Sequence, residues 1–127
     1  MARVFVIDDD PLFREGLELS LEVQGHTVRG ADCVEDAIAM MSADQPDVVV
    51  SDILSPTEHG IAVLRDISQR WPDLPVIVMS GGGKVDNDLS AWARSLGAVM
   101  GFNKPFETKD LSKAIVEIAS RSGGSSA

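Results

Sequence analysis

Asp47-Val48-Val49-Val50-Ser51-Asp52-Ile53-Leu54-Ser55-Pro56-Thr57-Glu58-His59-Gly60 runs three consecutive valines into a carboxylate, and a proline and a glycine then follow at four-residue steps. An unbroken β-branched run bounded by turn residues reads as a strand buried on both faces, as in a parallel sheet. Asp52 is then expected at the carboxyl end of a central strand, where open α/β sheets place their ligands. Two further stretches are built to meet it. Val4-Phe5-Val6-Ile7-Asp8-Asp9-Asp10 is an apolar strand that also ends in acid, and Asn103-Lys104-Pro105-Phe106 lies near the C-terminus.

Outward from these stretches, five strand-like and five helix-like segments alternate. The first strand spans roughly Arg3–Asp8. Asp10-Pro11 then opens a helix with a good N-cap and proline at the first helical position. That helix carries Leu12, Phe13, Gly16, Leu17, Leu19, Leu21 and Val23 on a broad face and ends near Gly25. His26–Arg29 mixes polar and apolar residues, as an edge strand does. Val34, Ala37, Ile38 and Met41 stripe a second helix at helical spacing. Val63, Leu64, Ile67 and Trp71 stripe a third, which Pro72 ends. Pro75–Ser80 is another buried strand leading into Gly81-Gly82-Gly83. Leu89, Trp92, Ala93 and Leu96 stripe a fourth helix, Ala98–Phe102 is the last strand, and Leu111, Ala114, Ile115 and Ile118 stripe a fifth helix. This alternation implies an α/β fold of the (βα)5 kind: a doubly wound, five-stranded parallel sheet with strand order 2-1-3-4-5. Residues 1–120 read as one domain, and 121–127 as a flexible Ser/Gly-rich tail.

The totals narrow the function. Eleven Lys and Arg against twenty Asp and Glu give a net charge of −9, which disfavours direct binding to nucleic acid or to an anionic membrane. Cys33 is the one cysteine, so neither a disulfide nor a cysteine metal cluster is expected. No apolar run approaches the ~20 residues of a membrane span, and there is no secretion signal at the N-terminus. A cytoplasmic location is expected.

The strand order would bring Asp8, Asp9, Asp52, Ser80 and Lys104 to one rim. Two carboxylates ~4 Å apart repel by ~4 kcal/mol at an effective dielectric of 20, and a hard cation such as Mg²⁺ relieves that conflict. Lys104 would add a second positive charge and Ser80 a hydroxyl, so that the Asp52 carboxylate can attack a phosphoryl group and become an aspartyl phosphate. Taken singly, each piece has a plainer reading: Asp8-Asp9-Asp10 also suits a helix N-terminus, and Lys104-Pro105 a solvated turn. Their joint placement at four strand ends favours the chemistry.

Over roughly residues 2–120 the chain resembles the CheY-like receiver domains of two-component response regulators. The matching residues are Asp8 and Asp9, Asp52 with Pro56 and Gly60, Ser80, Gly97-Ala98 and Lys104-Pro105-Phe106. The resemblance implies that Asp52 accepts a phosphoryl group from the phosphohistidine of a histidine kinase or a histidine phosphotransfer protein. It implies Mg²⁺ held by Asp9, Asp52 and the backbone carbonyl of Leu54, with Asp8 acting largely through water, and a cis peptide before Pro105. Such domains are signalling switches, with no catalysis beyond their own phosphorylation and dephosphorylation. They act on a downstream partner through the face made by the fourth helix, fifth strand and fifth helix, and phosphorylation-dependent homodimers are among the outcomes.

Three departures from that pattern stand out. Ser55 replaces a common methionine. Leu54 and Gly82 occupy the positions that usually tune phosphoryl loss, so a long-lived phosphoryl group is expected. Gly101, three before the lysine, stands where a switch aromatic often sits. Side chains alternate along a strand, so Phe102 cannot replace that ring unless a bulge at Gly101 shifts the parity. Without one, the space is left to the fourth helix, with Trp92 its large candidate. Gly81-Gly82-Gly83-Lys84 lacks the Walker pattern, and His26 and His59 are expected on the surface. Two alternatives compete: a haloacid-dehalogenase-like phosphatase using Asp8-x-Asp10, and a degenerate receiver acting only as a docking module.

Overall fold

The computed structural model describes residues 2–53, 58–80, 94, 97–104 and 106–124. Strands β1 (Arg3–Ile7), β2 (Thr27–Ala31), β3 (Val48–Ile53), β4 (Val76–Ser80) and β5 (Met100–Asn103) form one sheet in the order β2-β1-β3-β4-β5. Every pairing in it is parallel. Helices α1 (Pro11–Val23), α2 (Val34–Ala43), α3 (Glu58–Arg70) and α4 (Thr108–Gly124) accompany the strands, α4 being the fifth helix of the sequence pattern. The expected fourth helix with Trp92, the Gly81–Gly83 loop, Leu54 and Pro105 lie outside the described residues.

The period-2 alternation of the central strands divides the core in two. Phe5, Ile7, Val49 and Val78 face one side with Ala37, Met41, Leu64 and Ile67. Val4, Val6, Val50, Ile77 and Met79 face the other with Leu17, Leu21, Leu111, Ile115 and Ile118. Both faces are therefore covered, which is why the strands read as apolar throughout. Among the described residues β2 pairs only with β1, and it keeps its middle residues part-exposed, as its mixed composition implies. No helix among the described residues is long and apolar enough to cross a membrane.

Several expectations are corrected. The broad apolar face of α1 is only half used: Leu17 and Leu21 are buried, while Leu12, Leu19 and Val23 stand in solvent. α4 runs through Gly124, into the stretch read as a tail. His26 is not on the surface but 5% exposed. Gly25, at φ 99°, closes α1 in the left-handed turn that glycine permits. Its N–H donates to the Glu22 carbonyl and that of His26 to the Leu21 carbonyl, which aims the imidazole inward. There Nδ1 accepts from the Ala2 amide at 3.2 Å and Nε2 lies 2.8 Å from Ser112 Oγ on α4. At Gly101 the register is unbroken, with Val78 opposite Gly101 and Met79 opposite Phe102. No bulge shifts the parity, and Phe102 packs on the α1–α4 side of the sheet.

Candidate functional site

Register alone brings the acids together. Ile7 stands opposite Ser51, so the residues that follow, Asp8 and Asp52, emerge side by side at the carboxyl rim. The Asp8 side chain is fully buried and that of Asp52 is 4% exposed. Oxygens of Asp8, Asp9 and Asp52 all lie within 4.8 Å of one another. Asp8 is held on both carboxylate oxygens: Oδ1 accepts from the Asp10 amide at 2.9 Å and Oδ2 from Lys104 Nζ at 3.2 Å. Asp10 turns away from the cluster and caps α1, accepting from the amides of Leu12 and Phe13.

Lys104 arrives from the far edge of the sheet. Its backbone N–H donates to the Ser80 carbonyl at 2.8 Å, which ties the end of β5 to the end of β4. Its ammonium, on a side chain 19% exposed, lies 3.1 Å from Asp52 Oδ1. That approach is an ion pair without hydrogen-bond alignment, since Oδ1 is buried and has no hydrogen-bond partner. Burial pushes the Asp52 carboxyl above the ordinary range, the Asp8 charge adds to the push, and Lys104 opposes it. Three crowded carboxylates with an unsatisfied buried oxygen fit a hard divalent cation.

Of the residues named from sequence, Asp8, Asp9, Asp52 and Lys104 are thus brought together. Ser80 ends β4 at the same rim, 1% exposed, and Leu54 lies outside the described residues. Two contributors were not foreseen. Arg14 donates from Nη1 to the Asp8 carbonyl at 2.8 Å, with Glu18 3.7 Å from its Nε. The Phe13 ring lies under Lys104, its centroid 3.8 Å from Nζ. Phe13 carries no local signal, because the fold alone brings Lys104 to it, whereas Arg14 and Glu18 stand at the i,i+4 spacing of a helical ion pair and so were legible as a pair.

This geometry has relatives. The DNA-binding transcriptional regulator NtrC of Salmonella typhimurium is 38% identical over 116 residues, covering 91% of this chain and 24% of that protein. Response regulator MprA of Mycobacterium ulcerans is 33% identical over 109 residues, covering 86% of this chain and 46% of that one. The chain therefore spans between about a quarter and a half of the length of these curated relatives. Among solved structures, a response regulator receiver domain protein from Clostridium thermocellum superposes with a TM-score of 0.82 at 30% identity, covering 95% of this chain and 96% of its own. The response regulator receiver domain family itself is matched over residues 4–116. A match running from β1 into α4 takes in every strand that frames the rim, and on that ground the chain belongs to the response regulator receiver domain family.

Proposed function

We propose that the chain is a phosphorylation-dependent signalling switch with Asp52 as its phosphoryl acceptor. The observation that carries this reading is the Lys104 ammonium between Asp8 and Asp52, at 3.2 and 3.1 Å, on the rim of a parallel sheet. A carboxylate oxygen of Asp52 attacks the phosphorus of a phosphohistidine on a histidine kinase or a histidine phosphotransfer protein. The phosphorus–nitrogen bond breaks, its electron pair leaves on the imidazole, and solvent supplies the proton. Lys104 balances charge on the transferred group, and Ser80 offers its hydroxyl at the same rim. Asp8, Asp9 and Asp52 would hold Mg²⁺ with the Leu54 carbonyl. When bound, the cation screens the incoming phosphoryl oxygens from the acid cluster. Output passes to a downstream partner through α4, β5 and the segment before β5.

A phosphatase that used Asp8 as nucleophile would need Asp10 as its acid. Asp10 is committed to the α1 cap and Asp8 to Lys104 and the Asp10 amide, so the switch is favoured.

Acetyl phosphate with Mg²⁺ should label the wild type once, and Asp52→Asn should stay unlabelled by intact mass. Equal labelling of both proteins would overturn the acceptor assignment. Modification mapped to Asp8 would restore the phosphatase.

A further inference from the structure

An ammonium has three N–H donors. One of Lys104's serves Asp8 Oδ2. Asp52 Oδ1 is nearer, at 3.1 Å, yet receives no aligned hydrogen bond. Among the described residues, the ring of Phe13 also lies close to Nζ, 3.8 Å away at its centroid. A cation so close to an aromatic ring is attracted by the ring's quadrupole, more strongly where water is partly excluded. The ring is itself held: Phe106 stands nearly perpendicular to it at 6.3 Å, and Phe102 lies 5.4 Å from Phe106.

We propose that Phe13 is a positioning residue that holds the Lys104 ammonium beside Asp52 while drawing it away from a hydrogen bond to Oδ1 of that carboxylate. This rests on Asp52 being the acceptor and adds to that reading a residue acting through Lys104. The problem it solves is specific to a lysine in such a site. A charge is wanted within about 3 Å of the nucleophile, but a flexible four-carbon stem lets the ammonium settle onto the most basic oxygen in reach. A hydrogen bond donated there would stabilise the carboxylate's charge and make it a weaker nucleophile. The ring supplies a competing partner, so the charge stays near and Oδ1 stays free of that bond. Packing alone would ask only for volume at position 13, and leucine supplies most of that.

The experiment compares wild type with Phe13→Leu and Phe13→Tyr. In the resting protein, labelled at lysine side chains, the Lys104 Hε protons should be shifted upfield by the ring. Their signals are identified by their loss in Lys104→Arg. The shift should persist in Phe13→Tyr and vanish in Phe13→Leu. With saturating Mg²⁺, acetyl phosphate should label Phe13→Leu about fivefold more slowly than wild type, equal to ~1 kcal/mol at 1.36 kcal/mol per decade. Phe13→Tyr should recover most of that rate. A wild-type Lys104 without the upfield shift would overturn the proposal, as would Leu and Tyr variants labelling at the same rate. The resting-state spectra and the tyrosine variant decide the matter even if the leucine variant folds poorly. A wild type unlabelled at Asp52 would instead defeat the acceptor reading, and the spectra would still report on the ring.

Discussion

At the scale of single residues, Asp52 carries the tension of the site. Unfolded, its carboxyl titrates near the ordinary 3.8; folded, burial first and Asp8 second raise it. The fold therefore binds that proton more tightly than the unfolded chain does. The resulting penalty is absent below the unfolded value, grows as pH rises toward the folded value, and is complete above it. Without divalent cations near neutral pH, Asp52→Asn should consequently be more stable than wild type by urea unfolding. Mg²⁺ at about a hundred times its dissociation constant should then add about 2.7 kcal/mol to the wild type, and clearly less to the variant. A variant that is less stable than wild type in chelator would show that Lys104 outweighs burial and Asp8.

At the scale of elements, His26 joins three of them: the start of β1 through Ala2, the turn after α1, and α4 through Ser112. Because Nδ1 accepts from an amide, the ring proton sits on Nε2 and donates to Ser112. A second proton would face the Ala2 N–H. Burial lowers the imidazole from its usual 6.5, so the sign is opposite to that of Asp52. This contribution is full above the unfolded value of 6.5 and is lost as pH falls through the folded one. Between pH 7 and pH 5 the urea midpoint should fall in wild type and fall less in His26→Gln. His26→Ala should cost about 1–3 kcal/mol at pH 7, since it leaves buried partners unmade. An equal pH dependence in wild type and His26→Gln would exclude the histidine as its source.

At the scale of the whole molecule, the features written in adjacent residues were the legible ones. The alternation of strands and helices with a polar second strand marked the sheet order, and the valine run, the acids that end β1 and β3 and the position of Lys104 marked the rim. What depended on distant partners was not legible. His26 reads as polar in a polar strand, and its partner Ser112 is 86 residues away. Phe13 reads as one more apolar residue until Lys104 is folded over it. The half-bare face of α1 is likewise not written in its own residues, and α4 reaches the core beside its buried half, Leu17 and Leu21. That reach has a testable cost. A chain ending at Glu107 loses Leu111, Ile115 and Ile118 from one side of the core, and should unfold without a cooperative transition by circular dichroism. The position of β1 then acquires a meaning in time. It is made first, yet its inner neighbour begins at Val48 and the helix that covers it at Thr108. At ~5–20 residues per second, the sixty residues from Val48 to Thr108 take a ribosome roughly 3–12 s. For that interval the nascent sheet keeps an oily flank exposed, and chaperones have their opening on this chain there.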